Sequence, residues 1–386
     1  MKDTTSRRFF LAAGAQLPIV GAATLAPTEA APKPQYRVLG KTGVKVSALG
    51  FGCMTTSDAT VIERAADMGV NLFDTARSYQ NGNNERMVGA ALKGKRASVV
   101  ISSKTPAKTK EEALANLDTS LRELQTDHLD IWYLHNKSTP EEVTDDLLEA
   151  QQIAKRAGKI RFAGVSTHLN MASMLDHVVK RGQTDVVLTT YNFTMKPEIT
   201  AAIGRAREAG VGVVAMKVLA GGFSRIQRGD RLYGVNPEAL GATLKREGAM
   251  LAAIKWALRN RSVDTAIVCM TDADQLQENY LAMAQPFSSK DEQLLAAQMA
   301  AIAPLYCRMC GSCGGRCEKG VPVPDMLRIL SYADGYGQFA LARERFLELP
   351  ESAREIRCED CGTCSVQCPN GVRVQERLTR AQGLLA

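Results

Sequence analysis

Short apolar runs alternate with amphipathic segments eight times along most of this chain. The runs are rich in Val, Ile, Leu and Ala and are too short for helices, which is typical of parallel strands buried on both faces. They cover residues 48–52, 70–74, 99–103, 131–134, 162–166, 186–190, 213–216 and 265–269. The helix-like segments between them include 60–68, 111–124, 141–157, 197–209 and 249–259. Eight strand–helix units in about 270 residues predict an α/β fold of the (β/α)8 barrel type.

The alternative architecture is a doubly wound open sheet. That fold usually carries a Gly-x-Gly-x-x-Gly turn that follows an early strand and opens a helix. The nearest candidate, Gly50-Phe51-Gly52, lacks the third glycine and opens no helix. The barrel is therefore the favoured prediction.

Four titratable side chains fall where the second, third and fourth predicted strands end. Asp74 ends the second strand, Lys104 follows the third, His135 follows the fourth, and Tyr79 lies five residues past Asp74. Any one of them could be a helix cap, a loop charge or a buried core residue. Because barrel enzymes build their active sites at the carboxyl ends of the strands, the joint placement predicts a catalytic site.

Segments 36–43 (YRVLGKTG) and 71–79 (NLFDTARSY), followed by Asn84-Glu85, resemble the aldo-keto reductase family. The resemblance covers roughly residues 36–285. It implies a TIM barrel oxidoreductase that uses NADP(H) or NAD(H), without a catalytic metal, on a small carbonyl or alcohol substrate. It also implies a catalytic tetrad, which here consists of Asp74, Tyr79, Lys104 and His135.

The chemistry of carbonyl reduction accounts for these residue types. Hydride delivery leaves negative charge on the substrate oxygen, so a proton donor is needed, and Tyr79 is expected to supply it. Lys104, held by Asp74, is expected to lower the pKa of Tyr79 from its ordinary value of about 10. His135 is expected to orient the substrate oxygen through a hydrogen bond.

The resemblance further implies a set of cofactor-binding residues. Ser166 and Thr167 correspond to the carboxamide site, Met216 to the residue that stacks on the nicotinamide ring, and the rest to the adenosine-phosphate end: Met270, Thr271, Gln275, Glu278 and Asn279. The sequence departs from the family where Thr167 replaces Asn, Leu188 replaces Gln, and Gln275 stands for a basic residue. The choice between NADP and NAD therefore stays open.

Eight of the ten cysteines lie within residues 307–368, in two copies of one motif. The motif C-x2-C-G-x-C-x3-C places Cys307, Cys310, Cys313 and Cys317, and recurs 51 residues later at Cys358, Cys361, Cys364 and Cys368. This spacing is typical of bacterial ferredoxins, in which the fourth cysteine binds the other cluster. It predicts two [4Fe–4S] clusters, one on Cys307, Cys310, Cys313 and Cys368, the other on Cys358, Cys361, Cys364 and Cys317. Because the intervening segment has helical character, a small, mainly α-helical ferredoxin-like domain is expected.

Two alternatives compete for these cysteines. An exported protein could use them as a disulfide framework, and Cys-x2-Cys pairs could bind structural zinc. A disulfide framework has no need for a repeated three-plus-one spacing, and zinc leaves the third and fourth cysteine of each motif unexplained. The remaining Cys53 and Cys269 fall near strand ends and are expected to be buried small hydrophobes.

The N-terminus has the pattern of an export signal. Residues 6–11 (SRRFFL) are followed by an Ala/Gly-rich apolar run and by small residues near 28–30. The Arg7-Arg8 pair resembles the twin-arginine signal of bacteria. An amphipathic helix or a membrane anchor is the alternative, although Gln16 and the many Gly, Ala and Pro residues disfavour a spanning helix. We therefore expect a signal peptide over 1–30, a linker over 31–35, the barrel over 36–303 and the iron–sulfur domain over 304–386.

Composition narrows the function. The chain is 45% hydrophobic, which excludes a collagen or a mucin, and no transmembrane segment is expected in the mature chain. The formal charge of +7 is spread in both signs, so no nucleic-acid partner is expected. The leading hypothesis is a periplasmic oxidoreductase that exchanges electrons between a nicotinamide-dependent barrel and its clusters, with a redox protein or quinone partner.

Two other hypotheses remain. The first is an electron-transfer protein whose barrel is a non-catalytic docking scaffold. The second is a cytoplasmic carbonyl reductase with structural clusters. The loop over 219–246 is expected to shape substrate specificity.

Overall fold

Eight parallel strands close into a barrel in the computed structural model, which describes residues 33–221 and 248–386. The predicted signal over 1–30 and most of the 219–246 loop lie outside the described residues. The strand order around the barrel is sequential, and the last strand pairs with both the one before it and the first. The closed sheet confirms the barrel and excludes the open doubly wound alternative.

Ten strands are present among the described residues. A hairpin of β1 (Tyr36–Val38) and β2 (Lys45–Ser47) precedes the barrel. The barrel strands are β3 (Leu49–Gly52), β4 (Leu72–Asp74), β5 (Val100–Thr105), β6 (Leu129–Leu134), β7 (Ile160–Thr167), β8 (Val186–Thr190), β9 (Gly212–Met216) and β10 (Thr265–Cys269). Each overlaps one of the eight predicted runs.

Helices follow the barrel strands on the outside. They are α1 (Ala59–Asp67), α2 (Asn83–Leu92), α3 (Lys110–Glu123), α4 (Asp145–Arg156), α5 (Met171–Arg181), α6 (Pro197–Glu208), α7 (Ala249–Arg259), α8 (Ala273–Tyr280) and α9 (Ser289–Ile302). The helix predicted over 141–157 begins later, because Thr144 is its N-cap and accepts a hydrogen bond from the backbone N–H of Leu147.

The hairpin seals the amino-terminal end of the barrel. Leu39 and Val46 are fully buried in one apolar cluster with Leu72, Val100 and Val186 from the barrel interior. The sequence pattern did not predict this hairpin, because three-residue strands are too short to show a period. With one end sealed, the open end of the barrel is the one at which the strands finish.

The chain beyond the barrel, residues 304–386, is called the module here. It contains α10 (Val323–Asp334), α11 (Phe339–Leu347), α12 (Glu351–Arg354) and α13 (Val374–Leu385), and no strand among its residues. Met326, Leu330, Phe346 and Leu378 form its own buried core. Residues 33–386 nevertheless make up one compact unit, because the module packs onto the open end of the barrel.

None of the described helices combines the length and the apolar character needed to cross a membrane.

Candidate active site

The four tetrad side chains meet at the open end of the barrel. Lys104 Nζ donates to Asp74 Oδ2 at 2.6 Å and to the Thr75 carbonyl at 2.6 Å. The ring centroid of Tyr79 lies 4.7 Å from Lys104 Nζ and 5.8 Å from that of His135, which it meets edge-on. The structure thus brings together the four residues that the sequence analysis singled out.

Strand register places the charged pair. Asp74 is opposite Ser102 in the β4–β5 ladder, and Ser102 Oγ donates to Asp74 Oδ1 at 2.7 Å. Lys104 lies two residues further along β5, so its side chain points the same way as that of Ser102. His135 follows β6 directly, and its backbone N–H donates to the Thr105 carbonyl at 2.9 Å.

The first residues of α2 contact the loop that carries Tyr79 and fix its position. Asn84 accepts from Thr75 Oγ1 at 2.6 Å and donates to the Cys53 carbonyl at 2.8 Å. Glu85 is fully buried, pairs with Arg77 and accepts from Ser103 Oγ at 2.6 Å. Asn84 and Glu85 are therefore positioning residues for the loop.

Burial dominates the electrostatics of Tyr79. It raises the pKa of Tyr79 well above its ordinary value, and the nearby Asp74 carboxylate adds to the rise. This corrects the expectation that Lys104 would lower that pKa. Although the Lys104 ammonium lies near the Tyr79 ring, it is bonded to Asp74 at 2.6 Å, and burial and the Asp74 carboxylate outweigh its effect on that phenol. Tyr79 stays protonated and is suited to donate a proton.

His135 is partly buried beside the same lysine. Burial lowers its pKa well below the ordinary value, and the Lys104 charge lowers it further. The ring is therefore neutral near pH 7 and keeps one N–H. A neutral imidazole in this position can donate a hydrogen bond to a substrate oxygen without adding a charge to the cavity.

A cavity of about 880 Å³ lies above the tetrad. Its floor and barrel wall include Tyr79, His135, Met216, Ile267 and Cys269. Cys53 is fully buried, as expected. Cys269 is only partly buried and lines the cavity, because β10 ends there at the open end of the barrel.

The roof of this cavity comes from the module, which the sequence analysis did not anticipate. Arg328 and Tyr332 on α10, Tyr336 just beyond it, and Leu341 and Arg345 on α11 all line the cavity. Arg345 Nη2 also donates to the Ser78 carbonyl at 2.9 Å, next to Tyr79. In the sequence, the four-residue spacing of 328, 332 and 336 could have indicated a shared face, because residues four apart lie on the same side of a helix.

One of the eight predicted cofactor residues, Met216, lines the cavity. Ser166 Oγ instead accepts from the backbone N–H of Asn136 at 2.8 Å, and Thr167 Oγ1 donates to the Leu169 carbonyl at 2.8 Å.

The residues predicted for the adenosine end lie at and before α8. Gln275 Nε2 donates to Thr271 Oγ1 at 2.9 Å and to Asp272 Oδ2 at 2.7 Å. Met270 and Asn279 are buried, whereas Glu278 is exposed. The polar side chains of Thr271 and Gln275 are therefore engaged with each other at the start of the helix.

The eight cysteines of the two motifs form no disulfide, and Cys368 of the second motif approaches Cys310 of the first. The backbone N–H of Asn370 donates to Cys368 Sγ at 3.4 Å, and its side-chain amide donates to Cys310 Sγ at 3.4 Å. These bonds place the fourth cysteine of the second motif beside the first motif.

The pKa shifts of the thiols follow the same grouping. Burial raises the pKa of Cys307 to about 12, and the sulfurs of Cys313, Cys310 and Cys368 add to the rise. Burial likewise raises the pKa of Cys358 to about 11, and the sulfurs of Cys361, Cys317 and Cys364 add to this rise.

Over residues 33–221 and 248–386, no three His, Cys, Asp or Glu side chains gather closely enough to hold a single metal ion. The predicted iron–sulfur clusters and the zinc alternative therefore both stay predictions.

Comparison with known proteins bears on the barrel. The model of the aldo/keto reductase family matches residues 48–298, which ends before the cysteine motifs. L-galactose dehydrogenase of Arabidopsis thaliana is 27% identical over 305 residues, covering 71% of this chain and 96% of that protein. L-glyceraldehyde 3-phosphate reductase of Escherichia coli K12 is 24% identical over 314 residues, covering 67% of this chain and 90% of that protein.

Among solved structures, an aldo-keto reductase from Bacillus halodurans in its holo form superposes with a TM-score of 0.59. It is 26% identical in sequence, and the match covers 69% of this chain and 96% of that one.

Proposed function

The chain belongs to the aldo/keto reductase family and is an oxidoreductase; on that premise we propose that it transfers hydride between NADP(H) or NAD(H) and a carbonyl or alcohol substrate. One observation carries the proposal. Asp74, Tyr79 and His135 line a single cavity at the open end of the barrel, and Lys104 is bonded to Asp74 behind them.

The cavity fits a nicotinamide. Its volume of about 880 Å³ lies in the range of small-molecule sites, and Met216, Ile267 and Val268 give it an apolar wall beside the tetrad. A bound nicotinamide supplies the hydride in reduction and accepts it in oxidation. Tyr79 then gives its proton to the substrate oxygen while His135 donates a hydrogen bond to that atom.

Replacing Tyr79 by Phe tests this assignment. Loss of the proton donor is expected to lower kcat/KM by roughly 10²- to 10⁴-fold while leaving nicotinamide binding unchanged. Tyr280→Phe is the matched control, because its hydroxyl donates to the Met68 carbonyl, away from the cavity. Turnover by Tyr79→Phe equal to that of the unmodified protein would refute the role.

We further propose that the module binds two [4Fe–4S] clusters in the two predicted sets of four cysteines. The repeated spacing, the approach of Cys368 to Cys310 through Asn370, and N–H donors directed at sulfur support this proposal. A nicotinamide moves two electrons together, whereas each cluster moves one. Two clusters would pass a split pair between the cavity and a redox protein or quinone partner.

Metal analysis of anaerobically purified protein tests the clusters. We expect about eight iron and eight sulfide per chain, since each cube holds four of each. Cys310→Ser should remove one cluster and Cys361→Ser the other, and each variant should retain about half of the iron. Zinc in place of iron would support the structural-zinc alternative instead.

Export is part of the proposal and is supported by the Arg7-Arg8 signal pattern. Cell fractionation should find the processed chain in the periplasm. Replacing both arginines by Lys should hold it unprocessed in the cytoplasm. An unmodified chain found uncleaved in the cytoplasm would instead favour the cytoplasmic reductase with structural clusters.

One observation favours the alternative of an iron–sulfur electron-transfer protein that uses a non-catalytic barrel as a docking scaffold. The hydroxyls of Ser166 and Thr167 and the amide of Gln275 are all used within the barrel rather than at the cavity. Equilibrium dialysis against NADP(H) and NAD(H) separates the two functions. A protein that carries clusters but binds neither dinucleotide would be a scaffold.

A further inference from the structure

Three polar side chains from the barrel and the module meet in the cavity roof. Lys217, directly after β9, places its Nζ 4.7 Å from the ring centroid of Tyr332 and 5.7 Å from that of Tyr336. Arg328 Nη1 donates to Tyr332 Oη at 3.1 Å. The phenol of Tyr332 therefore lies between an ammonium and a guanidinium, and all three side chains line the cavity.

The positive charge of this cluster is not fully compensated. Arg328 Nη2 pairs with Asp325 at 3.0 Å, but its Nε is buried and has no hydrogen-bond partner within the described chain. Lys217 forms no ion pair with any carboxylate of residues 33–221 and 248–386. Partly burying a cation that lacks a carboxylate partner, as Lys217 does, costs free energy that a bound anion would offset.

The acidic residues of the cavity wall are engaged elsewhere. Asp74 is paired with Lys104 at 2.6 Å, and Glu348 accepts from Arg345 at 2.8 Å. Glu142 accepts from the backbone N–H of Ser138 at 2.7 Å. No wall carboxylate is therefore bonded to Lys217 or Arg328.

The phenol itself responds to this charge. Burial alone would raise the pKa of Tyr332, but the Lys217 and Arg328 charges lower it to about 8. The position beside these two cations thus favours a negative oxygen. Tyr332 is also close enough to Tyr79 to contribute to the raised pKa of that residue.

We propose that Lys217, Arg328 and Tyr332 form an anion subsite in the cavity roof, and that the substrate carries a carboxylate bound there. Ammonium, guanidinium and phenol together supply the charge-assisted donors that a carboxylate prefers. The subsite faces the same cavity as Tyr79. A 2-oxo or 2-hydroxy acid therefore binds the subsite with its carboxylate and presents its reacting oxygen to Tyr79. The inference rests on the proposed function, which makes this cavity the substrate site.

Binding of pyruvate, measured by calorimetry on the intact full-length protein, tests the subsite without requiring turnover. The unmodified protein should bind pyruvate at least 10-fold more tightly than the neutral methyl pyruvate. Lys217→Met should weaken pyruvate binding by about 10- to 100-fold and leave methyl pyruvate unchanged, because a charge-assisted hydrogen bond is lost. Lys108→Met is the matched control, since Lys108 lines the same cavity but is exposed at its edge.

Three results would overturn the proposal. One is equal binding of pyruvate and its ester, and a second is an effect of Lys108→Met as large as that of Lys217→Met. The third is a Lys217→Met variant that loses ADP-ribose binding but keeps pyruvate binding, which would assign the cluster to the dinucleotide. Tyr332→Phe, which removes one donor without a charge, gives a second reading if Lys217→Met does not fold.

The subsite and the reductase proposal fail separately. A protein that binds pyruvate through Lys217 but transfers no hydride to any 2-oxo acid keeps the subsite and loses the proposed reaction. A protein that reduces neutral aldehydes and binds no carboxylate keeps the reaction and loses the subsite.

Discussion

Tyr79 and Tyr332 face the same cavity, and their surroundings shift their pKa values in opposite directions. Burial raises the pKa of Tyr79, whose lysine neighbour is neutralised by Asp74. Lys217 and Arg328 lower the pKa of Tyr332 to about 8, although burial opposes them. The difference follows from the nearest charges: the Asp74 carboxylate raises the pKa of Tyr79, whereas Lys217 and Arg328 lower that of Tyr332.

At this same scale, the partly buried His135 and the buried His168 predict how stability depends on pH. Burial lowers the pKa of both His135 and His168 well below the ordinary value. Below about pH 6.5 the unfolded chain binds protons at these sites and the folded chain does not, so stability present above that pH is lost as pH falls. The double variant His135→Gln, His168→Gln should show a shallower loss of unfolding free energy between pH 7 and pH 5.

Urea unfolding at several pH values measures this slope. Each histidine can contribute up to about 1.4 kcal/mol per pH unit in the window below pH 6.5. His128→Gln is the control, because that ring is partly exposed beside Asp127. If the unfolding free energy of the double variant falls as steeply between pH 7 and pH 5 as that of the unmodified protein, other groups cause the loss of stability in acid.

At the scale of elements, α10 serves two sites with two faces. Arg328 and Tyr332 face the substrate cavity. Met326, Ile329 and Leu330 are buried in the core of the module. The helix therefore links the packing around the cysteines to the shape of the cavity roof.

The end of α10 is tied to α13 by a buried carboxylate, which predicts a large stability effect. Asp334 lies 2.7 Å from Arg377 Nη1 and 2.7 Å from Arg380 Nη2, and its side chain is only 3% exposed. Asp334→Ala leaves buried guanidinium charge uncompensated and should lower the unfolding free energy of the module by about 3–5 kcal/mol. Denaturant unfolding followed by circular dichroism measures the change.

An exposed pair provides the comparison for Asp334. Asp67 pairs with Lys95 at the surface, where solvent screens the interaction, so Asp67→Ala should change stability by less than about 1 kcal/mol. Equal effects of the two substitutions would contradict the role assigned to the buried carboxylate.

At the scale of the whole molecule, the module approaches the barrel through glycines. A Cβ on Gly335 would lie 1.9 Å from the Gly221 carbonyl oxygen, and one on Gly311 would lie 2.0 Å from Asn170 Oδ1. Arg345 adds a direct hydrogen bond to the barrel at Ser78. The close contact completes the cavity, so displacement of the module should alter substrate binding.

Gly335→Ala tests that dependence. The φ of Gly335 is −91°, which alanine adopts readily, so the effect is steric rather than conformational. We expect faster proteolytic cleavage between barrel and module and a KM raised by at least several-fold. Gly383→Ala in α13 is the control because nothing lies within 4 Å of its added Cβ, and a Gly335→Ala protein indistinguishable from it would contradict the close contact.

Sequence patterns predicted the barrel and the residues at its open end because both are local. Each strand is a short apolar run, and Asp74, Lys104 and His135 follow directly from where those runs end. The hairpin over Tyr36–Ser47 was missed because its strands are too short to show a period. The eight cysteines could be grouped because their spacing repeats, whereas the use of Ser166 and Thr167 within the barrel left no such signal.

The sequence by itself thus determined the barrel, the residues at its mouth and the two cysteine motifs, all of which are encoded in contiguous segments. Only the tertiary structure decided that the module roofs the cavity and that Lys217, Arg328 and Tyr332 share one site. It also decided that Lys104 is bonded to Asp74 beside Tyr79 and that Tyr332 lies between Lys217 and Arg328. These properties depend on which charges and surfaces meet after folding, between segments that are separate in the chain, and such contacts leave no periodic pattern in the sequence.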